Sequence, residues 1–144
     1  MTDTSRRDVV KLALGASALA CLGCGDGSQG PGSASDITAG TLTDYPVGSL
    51  KGVSGWALLV GRDSGGLYAM SSICTHQGCD MGSAATTTGP FCGCHGSQFD
   101  ANGNVVYGPA RRALAHFQVL VTAATGAVSV DGTQVVPQGT RTLA

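Results

Sequence analysis

Apolar residues in this chain come in short runs cut by glycine and small polar residues. Trp56-Ala57-Leu58-Leu59-Val60-Gly61-Arg62 is one such run. Its length and glycine boundary predict a core strand, with Trp56 in the core. Asp63-Ser64-Gly65-Gly66 predicts a hairpin turn, and Leu67-Tyr68-Ala69-Met70 its partner strand. Upstream, Asp44-Tyr45-Pro46-Val47-Gly48-Ser49-Leu50 reads as a turn into a first strand. Downstream, Ser97-Gln98-Phe99-Asp100 and Asn104-Val105-Val106-Tyr107 flank an Asn102-Gly103 turn. His116-Phe117-Gln118-Val119-Leu120-Val121 and Gly126-Ala127-Val128-Ser129-Val130 predict a final hairpin around Ala124-Thr125-Gly126. No segment from 41 to 144 shows a helical period, so the pattern predicts an all-β domain over 41–144.

The first forty residues differ. Leu12 to Gly23 is apolar without a polar face. At about a dozen residues it is short of the roughly 20 needed to span a bilayer as a helix. Before it, Ser5-Arg6-Arg7-Asp8-Val9-Val10-Lys11 resembles the twin-arginine export motif, with Val9-Val10 where that motif prefers Phe-Leu. Residues 1–24 therefore read as an export signal, or as a lipoprotein or anchor segment. Three endings stay open. Ala18-Leu19-Ala20 offers an A-x-A-like cleavage site. Leu22-Gly23-Cys24 resembles the end of a lipobox, with Cys21 at its −3 position, so lipidation falls at Cys21 or Cys24. Retention as a membrane anchor is the third. Residues 25–40, rich in Gly and Ser, read as a flexible tether. The expected location is exported: the periplasm or the outer face of the cytoplasmic membrane of a bacterium.

Composition narrows the class. At 144 residues the chain is one domain with extras. A net charge of −1 with 12% charged residues leaves no nucleic-acid footprint. Twenty-three glycines and 5% aromatics fit short strands and tight turns. Six cysteines divide into Cys21 and Cys24 near the start and four more within two short boxes.

Those boxes carry the candidate chemistry. The first is Cys74-Thr75-His76-Gln77-Gly78-Cys79 and the second Cys92-Gly93-Cys94-His95-Gly96-Ser97. Cys74, His76, Cys92 and His95 form a metal-ligand set. Cys79 and Cys94 are a further pair at matching places in the two boxes. Four such ligands can hold zinc or an iron–sulfur cluster. Zinc sites usually pair like with like along the chain. Here each box supplies one thiol and one imidazole. A 2Fe–2S centre with two Cys on one iron and two His on the other requires that arrangement. A zinc module with a free Cys pair stays as the alternative.

Taken whole, Cys-Thr-His-x-Gly-Cys and Cys-x-Cys-His-Gly-Ser resemble the Rieske family, in the disulfide-containing form of cytochrome bc iron–sulfur subunits. The resemblance covers about 41–144. It implies layers of antiparallel sheet, sandwich-like, with a loop-rich cluster subdomain at about 71–112. It implies Cys74 and Cys92 on the inner iron, His76 and His95 on the outer, and a Cys79–Cys94 disulfide. Such a disulfide belongs to an oxidising compartment. Twin-arginine export fits too, because it carries proteins already folded around a cytoplasmically assembled cluster. Neutral imidazoles keep the site's charge low: two ferric ions, two sulfides and two thiolates sum to zero, and reduction brings it to −1. Potentials of roughly −150 to +300 mV follow, against about −400 mV for plant-type ferredoxins.

Nearby residues tune such a site. Gly78, Gly93 and Gly96 leave room for backbone amides to approach sulfur. Ser97 matches a family serine whose hydroxyl donates to a cluster sulfur. Phe99 stands where respiratory subunits place a tyrosine, which removes one donor and lowers the potential. Pro109, in Gly108-Pro109-Ala110-Arg111-Arg112, resembles the proline loop covering the cluster. Arg111 stands where the family often has a second proline, and both arginines offset charge or point to solvent. His116, the third His, reads as structural.

The implied function is one-electron transfer, as in a quinol–cytochrome c reductase subunit or a free-standing exported Rieske protein. Implied partners are a c-type cytochrome and, through His76 and His95, a cytochrome b with its quinol. No independent catalytic site is evident; the role is that of an electron-transfer subunit of an oxidoreductase. The rivals are an oxygenase component and the small subunit of a molybdenum oxidase such as arsenite oxidase. Oxygenase-type domains usually lack the inter-loop Cys pair. A two-His, one-carboxylate iron site would find only His116 to spare. His95-Gly96-Ser97 weighs against the molybdenum oxidase reading.

Overall fold

The computed structural model describes residues 30–144. The twin-arginine-like segment, Cys21, Cys24 and the start of the tether lie outside the described residues. After a 3-10 turn at Pro31–Ser33 come β1 (Ile37–Thr41), β2 (Ser49–Gly52), β3 (Leu58–Asp63) and β4 (Gly66–Ser71). Two small hairpins follow, β5 (Ala85–Thr86) with β6 (Gly89–Pro90), and β7 (Gln98–Phe99) with β8 (Val105–Tyr107). The chain ends in β9 (His116–Thr122) and β10 (Ala127–Val136). The long strands form one antiparallel sheet in the order β1-β10-β9-β4-β3-β2. Everything between β4 and β9 is an insertion from this sheet. No helix among the described residues is long and apolar enough to cross a membrane.

The all-β expectation is met, and the continuous apolar run of β3 has a physical reason. Leu58 and Val60 pack into one core with Ile37, Leu67, Ala69, Val119, Val128 and Val130. Leu59, between them, points the other way. It joins a second core with Tyr68, Met70, Cys74, Cys92, Phe99 and Leu114. The second core fills the space between the sheet and the inserted loops. β3 and β4 are thus covered on both faces, which demands apolar residues at every position. Gly61, paired with Tyr68, makes room for that ring: a Cβ would stand 2.4 Å from Tyr68 Cζ. Trp56 is half-buried and packs against the first core rather than filling it.

Residues 31–40 are not tether, and the folded region begins ahead of Thr41. Ile37 is 1% exposed and β1 pairs with β10. Gly132 donates its N–H to Ala34 O at 3.0 Å, and Pro31 lies so close that a Cβ on Gly132 would stand 1.7 Å from its carbonyl oxygen. Ile37 is the one large apolar side chain in the stretch, so composition suggested a linker. Main-chain pairing to β10 decided otherwise. β10 itself runs past Val130 to Val136, through a register shift between Asp131 and Val135.

The far end of the chain is fastened over β4. Thr142 bridges Leu67. Arg141 pairs with Asp63 at 2.7 Å, donates to Asn102 Oδ1 at 2.8 Å, and lies 4.2 Å over the Tyr68 ring. The Asn102 carbonyl bonds Gln138 Nε2 at 2.7 Å and His116 Nε2 at 3.0 Å. His116 is buried and stacks 6.0 Å from the Tyr68 ring. It is a structural residue joining insertion to sheet, as its place in a strand pattern predicted.

Candidate metal centre

The two boxes fold into the same loop. In the first, Cys74 N–H donates to Cys79 O at 2.8 Å and Gly78 N–H to Cys74 O at 2.9 Å. In the second, Cys92 N–H donates to Ser97 O at 2.8 Å and Gly96 N–H to Cys92 O at 2.9 Å. Bridges Ile73–Asp80 and Phe91–Gln98 close the two loops below. Gly78 and Gly96 turn at φ of +81° and +82°, a region costly for residues with a Cβ. No atom would meet a Cβ at either, nor at Gly93. The backbone turn itself therefore accounts for the first two glycines. The repeated bonds also correct the reading of the extra cysteines. Cys79 holds the place of Ser97, and Cys94 the place of His76. They are not equivalent positions.

The four expected ligands gather where the loops meet. Cys74 and Cys92 are free thiols, 2% and 1% exposed. The rings of His76 and His95 stand edge to face, 4.8 Å apart, with His95 exposed and His76 half-buried. Cys79 and Cys94 are joined by a disulfide that ties one loop to the other. The Sγ atoms of Cys79, Cys92 and Cys94 lie within 4.8 Å of one another. That trio is no ligand set, because the disulfide leaves Cys79 and Cys94 without a thiolate to offer.

Neighbouring groups hold the loops. Ser97 is fully buried, and its Oγ accepts the Ala110 N–H at 3.0 Å. Its own hydrogen is left free to donate elsewhere. Thr75 donates its hydroxyl to Arg112 O at 2.6 Å. The segment around Pro109 is thereby pinned to both boxes. Arg111, Arg112 and Pro109 are exposed. Phe99 is 3% exposed and shares the second core with Cys74 and Cys92. Sequence reasoning missed Thr75 as the anchor of the proline segment. It also missed Phe91 and Tyr107, strand partners of Gln98, exposed at 46% and 67% beside the second box. An aromatic directly before Cys92 was the one local sign.

The residues fit a thiolate–imidazole cluster. Two buried thiols face inward, and His76 Nδ1 is buried with no hydrogen-bond partner among the described residues. A buried imidazole nitrogen without a partner is costly unless something binds it.

A small antiparallel β domain with two thiol–imidazole loops at its tip is an iron–sulfur electron-transfer domain in class. The Rieske [2Fe-2S] domain family matches residues 34–118, and the chain belongs to that family. Its cofactor is a Rieske-type 2Fe–2S cluster, and its chemistry is one-electron transfer through that cluster. Similar proteins include the cytochrome b6-f complex iron-sulfur subunit of Synechococcus sp. (strain RCC307), 44% identical over 93 residues, 58% of this chain and 52% of that one. The subunit of Synechococcus sp. (strain WH7803) is 40% identical over 107 residues, 66% of this chain and 60% of that one. The chain thus spans little more than half the length of these curated relatives. Among solved structures, the cyanobacterial plasma membrane Rieske protein of Synechocystis PCC 6803 aligns with a TM-score of 0.51. It is 25% identical over 66% of this chain and 98% of that one. An oxygenase–ferredoxin complex of carbazole 1,9a-dioxygenase aligns with a TM-score of 0.53 at 24% identity, over 72% of this chain and 98% of that one, a likeness of fold alone.

Proposed function

We propose that the chain is an exported one-electron carrier of the quinol-oxidising type, with Cys74 and Cys92 on the inner iron and His76 and His95 on the outer. The observation that carries this is the pairing of two buried free thiols with two adjoining imidazoles, one holding an unpartnered buried nitrogen. When bound, the cluster supplies a one-electron couple. The protein supplies the rest. Burial of Cys74 and Cys92 keeps water from the thiolates. The Ala110 amide orients Ser97, whose hydroxyl is free to donate toward sulfur and so raise the potential. Phe99 brings no donor where a tyrosine would. His95 faces solvent and forms the electron-exchange edge with His76.

The partners proposed are a c-type cytochrome as acceptor and a cytochrome b with its quinol as donor, in keeping with the relatives named as cytochrome b6-f subunits. Export follows the twin-arginine-like Arg6-Arg7, with residues 1–24 cleaved, lipidated at Cys21 or Cys24, or kept as an anchor. The intact mass of protein from a membrane fraction separates these three endings. The Cys79–Cys94 disulfide supports both the oxidising location and the choice of this reading over an oxygenase component. Metal analysis of the purified protein tests the centre. Two irons and two acid-labile sulfides per chain are expected; one zinc without sulfide overturns it.

A further inference from the structure

We propose that the tip surface formed by Arg111, Arg112, Pro109 and His95 docks an acidic redox protein, one whose electron-exchange edge is ringed by carboxylates. This rests on the electron-transfer reading above and names the class of partner. Arg111 and Arg112 are exposed, and the one ion pair among the described residues joins Arg141 to Asp63 instead. The two acidic side chains of the inserted loops are spoken for. Asp80 accepts from the Ser72 hydroxyl and the Gly82 amide. Asp100 accepts from the Asn102 and Asn104 amides and from Asn104 Nδ2. Both guanidiniums are therefore left without a counter-ion among the described residues.

Their position is held, not incidental. The arginine segment is bonded to the first box through Thr75 and to the second through Ser97. Arg111 and Arg112 line an open hollow of about 290 Å³ with Thr75, His76 and Pro109, so a carboxylate paired there comes to rest against His76. Around the second box the surface is aromatic: Phe91 and Tyr107 are exposed. Arginine and aromatic residues are the types enriched at protein interfaces rather than at small-anion sites. The chain's net charge is −1, so the positive tip is a local feature and not a general one. Such a tip steers negative partners and repels positive ones.

Stopped-flow oxidation of the reduced holoprotein tests this with two forms of one acceptor. One is a lysine-rich cytochrome c; the other is the same protein with its lysines succinylated. One electron leaves the reduced protein and reduces one ferric haem in either case. The second-order rate with the succinylated form should fall as salt rises. It should drop roughly tenfold at low salt in Arg111→Gln/Arg112→Gln. The rate with the lysine-rich form should stay level or rise in that variant. Lys51→Gln/Arg62→Gln removes equal charge elsewhere and should leave both rates nearly unchanged. The charge-keeping Arg111→Lys/Arg112→Lys should preserve the salt slope even if the glutamine pair folds poorly. Equal losses in the two glutamine pairs would reduce the effect to net charge and overturn the proposal. An effect seen with ferricyanide but not with the succinylated cytochrome would reveal a small-anion site and overturn it too. The visible spectrum separates the two failures: a missing iron–sulfur spectrum sinks the electron-transfer reading, whereas an intact one with unsteered rates sinks the docking surface alone.

Discussion

Two buried side chains are poised to report on the centre and its support. The Phe99 ring lies in the same core as Cys74 and Cys92, so a hydroxyl added at its edge tests whether that edge reaches a ligand sulfur. Phe99→Tyr should raise the midpoint potential, because a donor to sulfur stabilises the added electron. If the hydroxyl finds no acceptor, burial costs about 1–3 kcal/mol and the melting temperature falls with no change in potential. Film voltammetry with a parallel melt separates the outcomes. His116 is the residue for pH. Burial pushes its imidazole below the ordinary 6.5; the Asn102 carbonyl pulls the other way, and the Arg141 charge adds to the depression. The unfolded chain therefore takes up the proton first. Stability from this residue is complete above about pH 6.5 and is lost as pH falls toward the depressed folded value. Melting temperatures taken from pH 7 to pH 5 should fall more steeply in the wild type than in His116→Gln, by roughly the spread a histidine switch allows.

At the level of elements, β1 is an edge strand that depends on β10. The close approach of Pro31 at Gly132 lets the chain cross β10 and turn into β1. Gly132→Ala places a methyl group against backbone, which cannot yield as a side chain can. The substitution should cost at least about 1–3 kcal/mol in chemical denaturation. Hydrogen exchange should quicken first across Ile37–Thr41, and exchange unchanged there would show that β1 holds without that crossing.

For the whole molecule, the decisive link is the one between the loops. Cys79 and Cys94 are 15 residues apart, and closing a loop of that length is worth about 3 kcal/mol of unfolded-state entropy. Cys79→Ser should lower thermal stability by a large fraction of this while the four ligands remain in place. An unchanged melting temperature, with two free thiols in the wild type, would contradict the disulfide. A cluster lost at room temperature would show instead that the bond is needed for assembly.

Local order along the chain was enough for the ligand boxes and for seven of the ten strands. Cys74, His76, Cys92 and His95 sit within tight turns, where spacing of a few residues dictates geometry. The runs at Leu58–Val60 and Leu67–Met70 stand out because strands covered on both faces must be apolar throughout. Only the folded chain decided the rest. Tertiary pairing took Ile37–Thr41 from tether to strand, since an edge strand is held by main-chain bonds that leave little mark on composition. The disulfide sets Cys79 and Cys94 together although they hold different places in their loops, Cys79 that of Ser97 and Cys94 that of His76. The fastening of Arg141 over Tyr68 joins residues far apart in sequence, as does the tie of Thr75 to Arg112. Contacts across such distances have no period and no local motif, so they appear only when the sheet has brought the segments together.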